Sequence, residues 1–233
     1  MCFCIWMTTL AVVAQESWQD ALTRMPLNPA VRELDRSNCV EVMLRSFGSN
    51  ETVRALVFMP GATDEFYMFR RARATITNNS PTLLDALEAL TNQTRIRASF
   101  RAPLLLLHTD EDPLEPIGEI QDPGTEVKLE WTQFMAHAIY DDRDWDYLVP
   151  ILSKKLKVRF SPARHSRNSW HFYRHSLAEW NLNGREALEA IALAGKTRFI
   201  VGHNNVNFSG DERYLERPKL DSDAVFGDRP VSK

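Results

Sequence analysis

Cysteine is scarce in this chain, and the 3 present cannot form a disulfide framework. Cys2 and Cys4 fall in an apolar N-terminal stretch, which leaves Cys39 alone in the expected folded body. Neither sign of charge dominates. With 28 Lys and Arg against 31 Asp and Glu, the net charge is −3, so attraction for a charged partner must come from a local patch. Glycine, at 9 residues, is too sparse for a collagen-like or linker-like polymer. No apolar run reaches the ~20 residues of a membrane-spanning helix. Spacing signatures of catalysis are missing as well. There is no Gly-x-Ser-x-Gly elbow, Gly-Lys-Ser/Thr phosphate loop, Rossmann glycine fingerprint or His-Glu-x-x-His pair, and no cofactor is implied.

What remains is the composition of a globular protein: 233 residues, 44% hydrophobic and 25% charged. That length suits one large domain or two small ones. Met1 to Ala14 carries no charged side chain and has about the length of a secretory h-region. Cleavage after Ala14 would place the protein in the periplasm or outside the cell. If the segment is not a signal, the chain is cytoplasmic.

Beyond an arm at 15–38, alternation over Cys39 to Phe47 predicts a strand, and the apolar run Thr52 to Met59 a second. Ser80 and Pro81 supply helix-start chemistry for a helix over 81–93, with Leu83, Leu84, Leu87 and Leu90 on one face. Two strands, Ile96 to Phe100 and Leu104 to Leu107, turn around Arg101-Ala102-Pro103. Residues 109–130 are acidic and broken by Pro113, Pro116 and Pro123, which reads as a solvated linker. Past it, Trp131 to Ile139 is extended. Asp141-Asp142-Arg143-Asp144 opens a helical stretch through Lys155, and Val158 to Phe160 and Trp170 to Trp180 are strand-like. Asn183 and Gly184 start a helix, and Thr197–Val201 and Asn205–Phe208 form a closing strand pair. Residues 209–233 read as a mobile tail.

The two halves can be laid against each other. Asp85-Ala86-Leu87-Glu88-Ala89-Leu90 matches Glu186-Ala187-Leu188-Glu189-Ala190-Ile191, and after a two-residue shift Thr94-Arg95-Ile96 matches Thr197-Arg198-Phe199. The expected fold class is therefore α+β, two tandem small modules of short strands packed on amphipathic helices, at 39–108 and 131–208.

The pattern Leu84-x-x-Leu87-x-x-Leu90-x-x-Gln93-Thr94, followed by Ile96-Arg97-Ala98-Ser99-Phe100, resembles the short N-terminal domain shared by secretins and TonB-dependent receptors. The run Ala187 to Ala192 through Lys196-Thr197-Arg198-Phe199 is similar, with Ala194-Gly195-Lys196 in place of the usual Gln-Thr-Gly. The resemblance covers about 30 residues in each half. It implies small envelope modules that assemble or dock on partners without catalysis.

Candidate functional residues lie in the second half. No acid occurs between Tyr147 and Ala178, and Lys154, Lys155, Lys157, Arg159, Arg164, Arg167 and Arg174 stand beside Trp170, Phe172 and Tyr173. Basic residues with interleaved aromatics can hold an anionic partner, and the same stretch can equally be a solvated face. His165, His171 and His175 are the densest histidine group. On a strand, His171 and His175 would stand about 13 Å apart, too far for one metal. Asp142, Asp144 and Asp146 imitate a calcium loop without its glycine.

The expected role is non-catalytic binding or assembly in a cell envelope. Its partner would be another envelope protein or a second copy, with peripheral membrane contact allowed and nucleic acid disfavoured by export. The alternatives are an extracytoplasmic enzyme using His108 or His171 and His175, and a cytoplasmic nucleic-acid binder using the basic patch.

Overall fold

The computed structural model describes residues 16–35, 37–59, 72–108, 115–116, 118–131, 133–136, 153–155, 157–162, 180–195 and 197–214. The protein is α+β. Its elements are α1 (Trp18–Thr23), β1 (Glu33–Leu34), α2 (Cys39–Ser46), β2 (Ala55–Met59), β3 (Ala74–Thr75), α3 (Leu83–Gln93), β4 (Arg97–Arg101) and β5 (Leu104–His108). Then follow β6 (Gly118–Ile120), α4 (Pro123–Trp131), β7 (Gln133–Ala136), β8 (Arg159–Pro162), β9 (Trp180–Asn183), α5 (Gly184–Gly195), β10 (Thr197–Val201) and β11 (Asn205–Gly210).

Two sheets organise the molecule. The first has the order β2-β5-β4, with β2 parallel and β4 antiparallel to β5. Both of its faces are buried. Leu56, Phe58, Leu105 and Leu107 point into a core with α1, α2 and α3, while Ala55, Val57, Leu104 and Leu106 point into a core filled by α5. This two-sided burial explains why β5 reads as the unbroken apolar run Leu104-Leu105-Leu106-Leu107. The second sheet, β6-β10-β11-β8, buries one face against α5 through Phe160, Phe199, Val201, Val206 and Phe208. Phe208 stands between its two ring neighbours, with centroids 6.2 Å from Phe160 and 6.1 Å from Phe199. Helix α5 is therefore sandwiched between the sheets. Gly118 lies opposite Phe199, and any Cβ there would fall inside its ring.

The described chain uses one connectivity twice. A short strand, β1 or β7, pairs antiparallel with β3 or β9 just ahead of a capped helix. That helix leads into an antiparallel hairpin, β4–β5 or β10–β11, whose second strand takes a parallel neighbour, β2 or β8. Even the helix caps match. Thr82 and Asp85 exchange bonds at the start of α3, and at α5 Glu186 N–H donates to Asn183 Oδ1 while Asn183 N–H donates to Glu186 Oε2. From these caps to the hairpin ends the equivalences run without insertion: Thr82 with Asn183, Arg97 with Arg198, Leu104 with Asn205, His108 with Ser209. The two-residue shift expected from sequence is not present, and Ile96 falls opposite Thr197 rather than Phe199.

Other expectations are corrected. Cys39 to Ser46 is a helix, not a strand, because Cys39, Met43, Leu44 and Phe47 bury at helical spacing and Glu41 pairs with Arg45 one turn on. The cap of α3 is Thr82, not Ser80, with Pro81 outside the helix. Part of the expected acidic linker is structured. Strand β6 pairs with β10, and α4 packs on α5 so closely that a Cβ on Gly184 would lie 2.8 Å from the Leu129 carbonyl oxygen. One of its acids serves the start of α4, with Asp122 Oδ2 accepting from Thr125 N–H at 2.9 Å. The start of the expected tail is also ordered, as Ser209 and Gly210 end β11 and Arg213 forks onto buried Asp211. Among the described residues, no helix is long and apolar enough to cross a membrane.

Candidate interaction surface

A strand whose alternate side chains enter a core presents the others to solvent. On the second sheet, Phe199, Val201, Val206 and Phe208 go inward, so Arg198, Ile200, Asn205, Asn207 and Ser209 share the far face. Strand β8 adds Arg159, opposite Asn205, and β6 adds Glu119, opposite Ile200. Arg159, Arg198 and Glu119 are exposed, and the asparagines and Ser209 are half-buried. Arg198 is held flat on the sheet by Nε donating to Ser209 Oγ at 2.9 Å. Backbone bonding fixes Arg159, whose N–H donates to the Asn204 carbonyl at 2.8 Å.

This face differs in kind from its counterpart on the first sheet. Arg159, Asn205 and Asn207 stand where the first sheet has Ala55, Leu104 and Leu106. There the apolar residues receive α5; here, among the described residues, no helix packs on the polar ones.

Of the sequence-predicted binding residues, Arg159 lies on this face and three lysines precede it in the chain. Lys154, Lys155 and Lys157 are exposed just ahead of β8, and Arg159 opens it. Lys157 adopts a left-handed conformation, φ 55°, that turns the chain into the strand. Arg164, Arg167, Trp170, Tyr173 and Arg174 lie outside the described residues, as do His165, His171, His175 and Asp142, Asp144 and Asp146. Sequence reading missed Arg198, Asn205 and Asn207. The signal for Asn205 and Asn207 was the alternation Asn205-Val206-Asn207-Phe208; Arg198 heads the apolar run Phe199-Ile200-Val201 and carried no such mark.

The turn beside this face carries a small polar cluster. Asp122 faces exposed His203, Oδ1 to Nδ1 at 3.5 Å, and the Thr125 hydroxyl donates to Asp122 Oδ2 at 2.6 Å. The Thr125 hydroxyl above all, helped by the Thr125 N–H and His203, holds the Asp122 carboxyl below its ordinary range against the opposing effect of burial. The cluster joins the start of α4 to the β10–β11 turn and needs no ligand to account for it.

His108 does not sit in an open catalytic setting. It is buried at the end of β5, with Nε2 3.1 Å from Ser99 Oγ. Cys39 is buried too, and that burial pushes its thiol up to about 12, which removes thiolate chemistry at neutral pH. Among the described residues, no three His, Cys, Asp or Glu side chains are grouped to hold a metal. Comparison with family models, with curated proteins and with solved structures finds no match for the chain.

Proposed function

We propose that this chain is a non-catalytic, exported cell-envelope protein of two stacked strand–helix–hairpin modules. Its role is to bind an acidic partner protein through the outer face of the second sheet. The supporting observation is the contrast between the two equivalent sheet faces: the apolar one is filled by α5, and the other carries Arg159, Arg198, Asn205, Asn207 and Ser209. A stack that needed only a polar end could use any solvated residues. Here the two arginines stand on separate strands, Lys154, Lys155 and Lys157 shortly precede one of them in the chain, and Glu119 is the one acid on the sheet positions described. Guanidinium groups held against a flat sheet can take carboxylates in bidentate fashion. Export rests on the apolar stretch Met1 to Ala14, and the envelope setting on the resemblance to secretin and TonB-receptor domains.

Two measurements test the reading. Fractionation with intact mass should find a periplasmic or secreted species beginning at Gln15; an uncleaved cytosolic species would overturn export. Cross-linking of the purified native complex should identify a partner contacting this face, lost in the Arg159→Glu/Arg198→Glu double variant. An unchanged contact pattern in that variant would overturn the docking assignment.

A further inference from the structure

The junction between β9 and α5 holds the one Asn-Gly pair in the chain, Asn183-Gly184. Asparagine followed by glycine is the pair most open to self-attack, because no Cβ on the second residue keeps its backbone nitrogen from the asparagine carboxamide. At the equivalent place in the first half, the cap and the first helical residue are Thr82 and Leu83, which cannot react in this way. Packing is what demands the glycine. A Cβ on residue 184 would lie 2.8 Å from the Leu129 carbonyl oxygen and 2.9 Å from Leu129 Cα, both backbone atoms that cannot swing aside. Asn183 is meanwhile held out of reaction. Its Oδ1 accepts from Glu186 N–H at 2.9 Å, its own N–H donates to Glu186 Oε2 at 2.9 Å, and Arg54 grips the Glu186 carboxylate. Strand pairing with Gln133 on β7 fixes the Asn183 backbone as well. Ring closure needs the Gly184 nitrogen to swing beneath Asn183 Cγ, and that rotation breaks the cap.

We propose that Asn183-Gly184 is a conformation-gated deamidation site, closed in the native fold and reactive once the β9–α5 junction opens. In the open chain the Gly184 nitrogen attacks Asn183 Cγ. The N–Cγ bond forms, the Cγ–Nδ2 bond breaks, and ammonia leaves with the proton of the Gly184 amide. Water then opens the cyclic imide. Attack at Cγ gives aspartate, and attack at the main-chain carbonyl carbon gives isoaspartate, whose main chain runs through Cβ and is one atom longer. Aspartate still caps a helix. The longer isoaspartyl chain displaces the cap from Gly184, which has no room to follow against Leu129. Both sheets bury their apolar faces on α5, so a chain that cannot rebuild the start of this helix loses the core that joins them. Chemical change of the opened chain then makes unfolding irreversible and turns stability into a lifetime.

The test follows the full chain at pH 8, native and in urea, by peptide mass mapping and by methyl transfer from an isoaspartyl methyltransferase. Isoaspartate at 183 should accumulate at least tenfold more slowly in the native chain, as expected of a group that reacts only through local opening. Glu186→Ala, which removes the return bond, should raise the native rate toward the urea rate. After exposure to urea and dilution, the fraction that refolds should fall in step with isoaspartate at 183. Asn183→Ser, which keeps a capping hydroxyl, should refold undiminished after the same exposure. Should either variant fail to fold, the unaltered chain decides through its two rates and through the match between isoaspartate and lost refolding. Equal rates in the native chain and in urea, full refolding of chains carrying isoaspartate at 183, a native rate indifferent to Glu186→Ala, or loss of refolding by Asn183→Ser on the same time course would each overturn the proposal.

Discussion

The Arg54 guanidinium reaches across from the first sheet to the Glu186 carboxylate at the start of α5, where Glu186 also caps that helix through Asn183. Arg54 donates as well to the Asn181 carbonyl at 3.2 Å, and its own carbonyl accepts from Asn181 N–H. Both side chains are mostly shielded, at 26% and 18% exposure, so water screens the pair only in part. Arg54→Met should cost about 2 kcal/mol in urea unfolding, the range of a hydrogen bond to a charged partner. A double-mutant cycle with Glu186→Gln should recover most of that as coupling. Additive losses would show that the two residues act separately.

The shared core makes a second contrast measurable. Leu106 is 3% exposed beneath α5, and Asn207 holds the equivalent place on the open face. Leu106→Ala should destabilise by about 2–5 kcal/mol, and Leu106→Asn by more, because an amide would be buried against apolar side chains. The reverse exchange, Asn207→Leu, should leave stability within about 0.5 kcal/mol. Comparable losses at both positions, read from denaturant midpoints, would contradict the assignment of buried and open faces.

Asp85 gives the fold an acid-sensitive cap. Partial burial works against its charged form, but hydrogen bonds from the Thr82 hydroxyl, the Asn78 amide and backbone N–H groups outweigh that and hold its pKa below the ordinary 3.8. A depressed folded pKa contributes stability that is present above the unfolded value and lost as pH falls through the folded one. Asp85→Asn should therefore lower the melting temperature at pH 7, and its deficit should shrink as pH drops below 3.8. A deficit independent of pH would mean that the carboxylate charge is not what the cap uses.

Cys39 should resist modification in the native state. With Cys2 and Cys4 replaced by serine, an aromatic disulfide reagent at pH 8 should leave Cys39 unlabelled until denaturant is added, since its thiol is buried and pushed up to about 12. Rapid native labelling would place α2 away from its core.

The helices and hairpins of both halves were legible because apolar spacing and capping chemistry agree there: Leu83, Leu87 and Leu90 in α3, Ala187, Leu188 and Ile191 in α5, each followed by two short strands. Cys39 to Ser46 misled because Val40 and Val42 imitate strand alternation, whereas burial of Met43 and Leu44 together needs a helix. The stretch 109–130 misled because acids and prolines suggest solvent exposure, although Asp122 spends its charge on a helix start. Which strands pair is set by long-range contacts such as β2 with β5, and local sequence carries none of that. Half of the candidate surface was visible as Lys154, Lys155, Lys157 and Arg159. Arg198 joins it only through the register of β10 with β11.

The central claim, that the polar face of the second sheet is a docking surface, is tested most directly by photo-cross-linking in the native cell. A photoreactive side chain at Asn207 sits at the centre of that face, and one at exposed Glu88 on α3 serves as a control. The account predicts a discrete adduct from position 207 that disappears in the Arg159→Glu/Arg198→Glu background and has no counterpart from position 88. No adduct at 207, or the same adduct from both positions, would contradict it.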